Sequence, residues 1–206
     1  SRGPYRIFPE IDQFDVLCSL PTCTHTGDCI SNPKNTVCSV DTDGKNLYMF
    51  YTKLDAGDNT YKNLLLKFDP ENQTQTELYE FPYGGYPAAA YYHDDYVYFY
   101  TLSEGNYYLT RINSSGFGKA EKLDIPYCSI YGTSFADDSI YYIENGVDIK
   151  RCDLGTGEST LIYRCGEENG EAKRIDFSGE KLYITYSSTL PGIEGGIEEY
   201  FTVNRT

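Results

Sequence analysis

An all-β fold built from repeated four-stranded antiparallel units is the architecture this sequence predicts, and three observations carry the prediction. The first is composition. The 206 residues include 22 Tyr and 10 Phe against one Met and no Trp, and these aromatics, with Val, Ile and Thr, suit a pleated, packed surface. The second is punctuation, because no long stretch places apolar residues at helical spacing and Gly- or Asn-rich turns interrupt nearly every apolar run. The third is recurrence. Asp138-Ser139-Ile140-Tyr141-Tyr142-Ile143, continued by residues 147–163, reads as strand, turn, strand, turn, strand. Asn145-Gly146 and Asp153-Leu154-Gly155-Thr156-Gly157 separate the apolar runs, and both groups favour chain reversal.

In chain order, Pro4-Tyr5-Arg6-Ile7-Phe8 and Gln13-Phe14-Asp15-Val16-Leu17 read as the last two strands of a repeat whose beginning is missing, with Pro9 and Asp12 marking the turn. Residues 19–35 form a polar, Cys-rich irregular loop, and a loop of that length inside a compact domain is usually functional or pinned covalently. Repeats follow. Their second strands align as Asn46-Leu47-Tyr48-Met49-Phe50, Tyr96-Val97-Tyr98-Phe99-Tyr100, Ser139-Ile140-Tyr141-Tyr142-Ile143 and Lys181-Leu182-Tyr183-Ile184-Thr185, with Leu47, Val97, Ile140 and Leu182 offset by 50, 43 and 42 residues. Third strands align at Leu66-Lys67-Phe68-Asp69, Thr110-Arg111-Ile112-Asn113, Lys150-Arg151-Cys152-Asp153 and Tyr200-Phe201-Thr202-Val203-Asn204; fourth strands fall near Leu78, Leu123 and Leu161.

Four short strands at a period of about 40 to 50 residues predict a β-propeller of four-stranded antiparallel blades. The second strands support this over a two-sheet sandwich, since they do not alternate apolar with polar residues and so suit burial on both faces. The expected layout of this single domain is a partial blade at 4–18, the Cys-rich loop at 19–35, and blades at about 36–81, 86–125, 129–165 and 171–205. The last unit lacks an outer strand. Residues 13–18 could supply it and close a ring of about four blades; otherwise the chain is an open arc of a larger propeller.

The connections of the Arg151-Cys152-Asp153-Leu154-Gly155-Thr156-Gly157-Glu158 type, with the Leu/Ile-Tyr-Tyr-like second strands, resemble TolB-like and quinoprotein-like propeller repeats. Taken with Leu17-Cys18-Ser19-Leu20-Pro21-Thr22-Cys23-Thr24-His25 and Cys29, the pattern is similar to exported propeller lipoproteins of Gram-positive anaerobes. That resemblance implies an extracytoplasmic protein, at the cell surface or secreted, that meets the membrane only through a lipidated Cys upstream of residue 1.

A net charge of -14, with 17 basic side chains among 31 acidic ones, argues against a nucleic-acid surface. Of the seven Cys, Cys18, Cys23, Cys29 and Cys38 fall in the first 38 residues. With His25 they make the strongest local candidate, as disulfide partners or as ligands to a metal. Disulfides are the first expectation in an oxidising compartment. Zinc is the alternative cofactor, since three thiolates and an imidazole are donors it prefers, although a paired C-x2-C knuckle is absent. A redox role is weaker, because no C-x-x-C occurs.

The remaining candidates are tyrosines. Tyr83, Tyr86, Tyr127 and Tyr131 precede the first strand of a blade, beside the channel of a propeller, and could stack on sugars or hydrogen-bond a ligand at a rim. His93 and its neighbours Asp94 and Asp95 occupy an inter-strand turn that recurs in each repeat, so turn chemistry accounts for them. Asp41-Thr42-Asp43-Gly44-Lys45-Asn46 lacks the distal bidentate Glu of a calcium loop and reads as a hairpin turn. The loop Pro191–Glu199 carries three Glu that could meet a basic partner. Neither a Gly-x-Ser-x-Gly elbow nor a phosphate-cradling Gly-rich loop occurs.

These observations point to a non-catalytic binding or scaffold module recognising a protein or glycan. The alternatives are a glycan-active lyase or hydrolase, if carboxylates such as Asp94, Asp137 and Asp138 converge on an acidic central site, and a metal-binding protein working through the Cys/His loop.

Overall fold

The computed structural model describes residues 5–8, 13–18, 20–26, 29–32, 36–54, 60–82, 89–126, 132–165, 171–178, 181–188 and 197–204. Regular structure among the described residues is β throughout. The strands are β1 (Tyr5–Phe8), β2 (Gln13–Val16), β3 (Thr36–Thr42), β4 (Leu47–Leu54), β5 (Tyr61–Asp69), β6 (Thr74–Phe81), β7 (Ala90–His93), β8 (Tyr96–Ser103), β9 (Asn106–Asn113), β10 (Glu121–Pro126), β11 (Thr133–Ala136), β12 (Ser139–Glu144), β13 (Asp148–Asp153), β14 (Ser159–Arg164), β15 (Glu171–Ser178), β16 (Lys181–Ser188) and β17 (Ile197–Asn204). They form three four-stranded meanders, β3-β4-β5-β6, β7-β8-β9-β10 and β11-β12-β13-β14, a three-stranded sheet β15-β16-β17, and the pair β1-β2.

Tight turns set the register. Asp94 and Asp95 between β7 and β8, Glu104 and Gly105 between β8 and β9, and Asn145 and Gly146 between β12 and β13 all have positive φ. Two successive positive-φ residues match the right-handed twist of the strands they join. The β12–β13 ladder runs from Ser139 opposite Asp153 to Glu144 opposite Asp148 without a break. Beyond it, the Asp153 carboxylate accepts the backbone N–H groups of Gly155 and Thr156 at 2.9 and 2.8 Å, which shapes the turn into β14.

The second strands are buried on both faces. Tyr48 to Tyr51 in β4, Val97 to Tyr100 in β8 and Ser139 to Ile143 in β12 are consecutive buried residues. A half-exposed sandwich strand would alternate instead. Outer strands contrast with this: β14 is largely exposed, with Leu161 on the surface.

Two compact units are present, residues 1–123 and 124–206. In the first, Tyr48, Phe50, Leu65 and Phe81 pack against Val97, Phe99 and Ile112 of the next sheet. The inner strands of the two sheets are also tied by Ala90 N–H to Ser39 Oγ at 3.1 Å and Tyr92 N–H to Asp41 Oδ2 at 2.7 Å, and the Tyr48 and Tyr92 rings stack at 5.1 Å. In the second unit, Tyr141, Ile143 and Ile149 meet Ala172, Ile175, Leu182 and Ile184.

Strands β1 and β2 pair in register from Tyr5 opposite Val16 to Phe8 opposite Gln13. The last sheet has three strands among the described residues.

Candidate functional site

The segment that breaks the repeat lies against the face of the first four-stranded sheet opposite the one that packs on the second sheet. Leu17, Cys18 and Ile30 are buried with Met49 and Tyr51 of β4 and Leu64, Leu66 and Phe68 of β5, and Cys23 and Cys29 flank the cluster. The polar chain between them folds by successive turns, with Cys23 N–H bonded to Leu20 O at 3.1 Å, Cys29 N–H to Thr26 O at 3.3 Å and Asn32 N–H to Cys29 O at 3.0 Å. His25 adopts a left-handed conformation with φ 55°, uncommon for a side-chain-bearing residue and a local constraint on where its ring points.

These turns gather four donor atoms. The Sγ atoms of Cys18, Cys23 and Cys29 and a ring nitrogen of His25 all lie within 4.8 Å of one another. His25 Nδ1 is 3.5 Å from Cys29 Sγ. Two sulfurs also receive backbone donors from two residues further on, His25 N–H to Cys23 Sγ and Ser31 N–H to Cys29 Sγ, both at 3.4 Å. Behind them, Cys18 N–H donates to Ser31 Oγ at 2.9 Å, and the Tyr51 hydroxyl donates to Cys29 O at 3.1 Å. Cys18 is buried, and Cys23, His25 and Cys29 are half-buried.

The electrostatics follow from crowding. The Cys23 thiol is pulled below its ordinary value, chiefly by the His25 backbone N–H and then by the Cys29 side chain. Cys29 is pushed up to about 12, first by burial and then by its hydrogen bond with Cys23. Hydrogen bonds to the charged form favour ionisation, while burial and a neighbouring thiolate oppose it. The first negative charge is therefore readily accommodated and the next is resisted.

Cys18, Cys23 and Cys29 are free thiols in this structure, so the disulfides expected among them are not formed. The reason is geometric: the turns aim three sulfurs and an imidazole at one point, rather than bringing two sulfurs into bonding range. The Cys38 side chain lies outside the described residues, as do Tyr83, Tyr86, Tyr127 and Tyr131. Asp94 sits in the β7–β8 turn of the first unit, and Asp137 and Asp138 in the β11–β12 turn of the second, all exposed. Ser31 and Tyr51 were not singled out by the sequence, and a cleft of 290 Å³ on the same sheet face, lined by Tyr51, Lys53, Leu64, Leu66, Gln73, Gln75 and Glu77, had no sequence signal either.

No protein-family profile matches the chain, and no curated protein does. Solved structures do match. TolB from Acinetobacter baumannii aligns with 98% of this chain and 46% of its own at TM-score 0.57 and 13% identity. The β-propeller domain of the Trilobed protease from Pyrococcus furiosus, a domain of open velcro topology, aligns with 82% of this chain and 54% of its own at TM-score 0.57 and 10% identity. The computationally designed Ika4 protein aligns with 82% of this chain and 92% of its own at TM-score 0.48 and 16% identity. The chain thus spans about half the length of the TolB and Trilobed protease structures. With its four-stranded antiparallel sheets, it has a β-propeller fold.

Proposed function

We propose that the chain is a non-catalytic binding or scaffold module that recognises a protein or glycan in an extracytoplasmic setting, tethered to the membrane through a lipid anchor upstream. The observation that carries this reading is the state of its carboxylates. Asp43, Asp69, Asp148, Asp153 and Glu171 are all held below their usual range. For Asp69, Asp148 and Glu171 the leading causes are side-chain donors from Asn72, Arg164 and Lys173; for Asp153 it is the Thr156 backbone N–H. At Asp43 burial pushes upward, and the donors of its own turn outweigh it.

A glycosidase general acid needs the opposite shift, a carboxyl kept protonated by its surroundings. Asp43, Asp69 and Asp153 shape turns, while Asp148 and Glu171 pair with Arg164 and Lys173, roles that fit a scaffold. Tyr83, Tyr86, Tyr127 and Tyr131 remain the residues proposed for the ligand rim, on the strength of their positions in sequence between the outer strand of one blade and the inner strand of the next. The extracytoplasmic setting is supported by the resemblance of residues 17–29 to exported propeller lipoproteins.

Calorimetric titration with soluble cell-wall glycans and with candidate protein ligands, followed by chromatography of the glycan mixtures, tests the reading. Saturable binding that is weakened by Tyr86→Ala or Tyr131→Ala, with the glycans recovered unchanged, is the expected result. Release of new reducing ends or unsaturated products, suppressed by Asp94→Asn or Asp137→Asn, would establish the enzyme alternative instead.

A further inference from the structure

We infer that Cys18, Cys23, Cys29 and His25 form a closed Cys3His site for one zinc ion, held by the three Sγ atoms and by His25 Nδ1, and that this ion cross-links the segment from Cys18 to Cys29 that packs on the first blade. The inference stands apart from the ligand-recognition reading and needs none of its residues.

Distances favour a common centre. Tetrahedral zinc, with Zn–S of about 2.3 Å and Zn–N of about 2.0 Å, requires S···S separations of about 3.8 Å and S···N separations of about 3.5 Å. His25 Nδ1 and Cys29 Sγ are already 3.5 Å apart, and the whole donor set fits within 4.8 Å. A small contraction completes the shell. A disulfide would use two of the sulfurs and leave the third beside an imidazole with no chemical reason for the convergence.

Donor chemistry narrows the metal. Three thiolates and an imidazole disfavour calcium and magnesium, which take oxygen ligands. Four protein donors leave no open position, which is the arrangement of a structural zinc rather than a catalytic one. On binding, the three thiols release their protons to solvent while the imidazole binds neutral, so the +2 ion and three thiolates give a centre of net charge -1. No electrons are exchanged.

The surroundings support the sulfurs as ligands. The backbone N–H groups of His25 and Ser31 point at Cys23 and Cys29 Sγ, the kind of outer-shell donor that tunes and orients metal ligands. Ser31 Oγ on Cys18 N–H and the Tyr51 hydroxyl on Cys29 O connect that shell to itself and to β4. Leu17, Ile30, Met49 and Leu64 close the back of the site. The segment has a buried inner side but an exposed, turn-rich outer side, with Leu20 on the surface; a metal supplies the cross-link that so little regular structure cannot.

The test uses the full 206-residue chain, purified without chelator, with metal counted by elemental analysis and native mass spectrometry and with zinc exchanged for cobalt. One zinc per chain is expected, together with the intense visible bands of a tetrahedral cobalt–thiolate centre. Cys23→Ser and His25→Ala should each weaken zinc binding by more than the roughly 10- to 100-fold that loss of an outer-shell partner costs, while Cys152→Ala keeps the full complement. His25 lies outside the apolar cluster, so its variant reads metal affinity without opening the core. A fully reduced, folded chain that binds no stoichiometric zinc would overturn the inference. So would retention of zinc by the Cys23→Ser, His25→Ala double variant, or disulfides among Cys18, Cys23 and Cys29 in chain isolated with zinc supplied.

Discussion

Asp43 shows how a single side chain can resemble a ligand and be a structural hub. Its carboxylate accepts Lys45 N–H at 2.8 Å, Asn46 N–H at 2.6 Å, Asn46 Nδ2–H at 2.9 Å and the Tyr48 hydroxyl at 2.8 Å. With those donors in place it organises the β3–β4 hairpin, as the missing distal Glu suggested, and does not present free oxygens to a cation. Burial alone would oppose its ionisation, but the donors from Asn46, Lys45 and Tyr48 outweigh it and hold the carboxyl well below its ordinary 3.8. The sign follows: below about that pH the unfolded chain binds the proton more readily, so the contribution is present above 3.8 and is lost as pH falls toward the folded value. Urea midpoints measured from pH 7 down to about pH 2 should fall for the native chain and fall less steeply for Asp43→Asn. Equal slopes would show that the turn contributes nothing to acid stability. The residue types of the Cys/His cluster were legible in their spacing. Disulfide and metal could not be separated there, because the difference lies in where three turns aim Sγ, and Ser31 and Tyr51 enter only through a fold that brings residues 13 and 22 positions apart together.

At the scale of elements, the second strands were the most legible feature. Runs such as Tyr96-Val97-Tyr98-Phe99-Tyr100 do not alternate because both faces are covered, and the structure buries Val97 to Tyr100 in succession. Phe99 is fully buried, in edge-on contact with Phe81 of the preceding sheet at 5.5 Å and near Tyr79 at 5.0 Å. Phe99→Ala should therefore cost about 3–5 kcal/mol in urea unfolding, the usual price of a large aromatic cavity; a loss below about 1 kcal/mol would mean that the two sheets do not share this core. Turns with Asn-Gly or paired Asp were legible for the same local reason, their need for positive φ. Blade count was not, because the same strand pattern fits a closed ring of about four blades and an open arc of a larger propeller.

For the whole molecule, period and burial together identify the propeller, and solved structures confirm it at identities of 10% to 13%. Recognition was less legible because blade positions are dictated by packing between sheets; Tyr141, for example, is explained by its edge contact with Phe177 at 4.8 Å. What packing does not explain is the convergence of Cys18, Cys23, His25 and Cys29 on the first blade, and the central claim rests there. X-ray absorption at the zinc edge of the purified chain tests it most directly. The expected spectrum is that of three sulfurs at about 2.3 Å and one nitrogen at about 2.0 Å. A shell of oxygen and nitrogen alone, or more than four ligands, would contradict it.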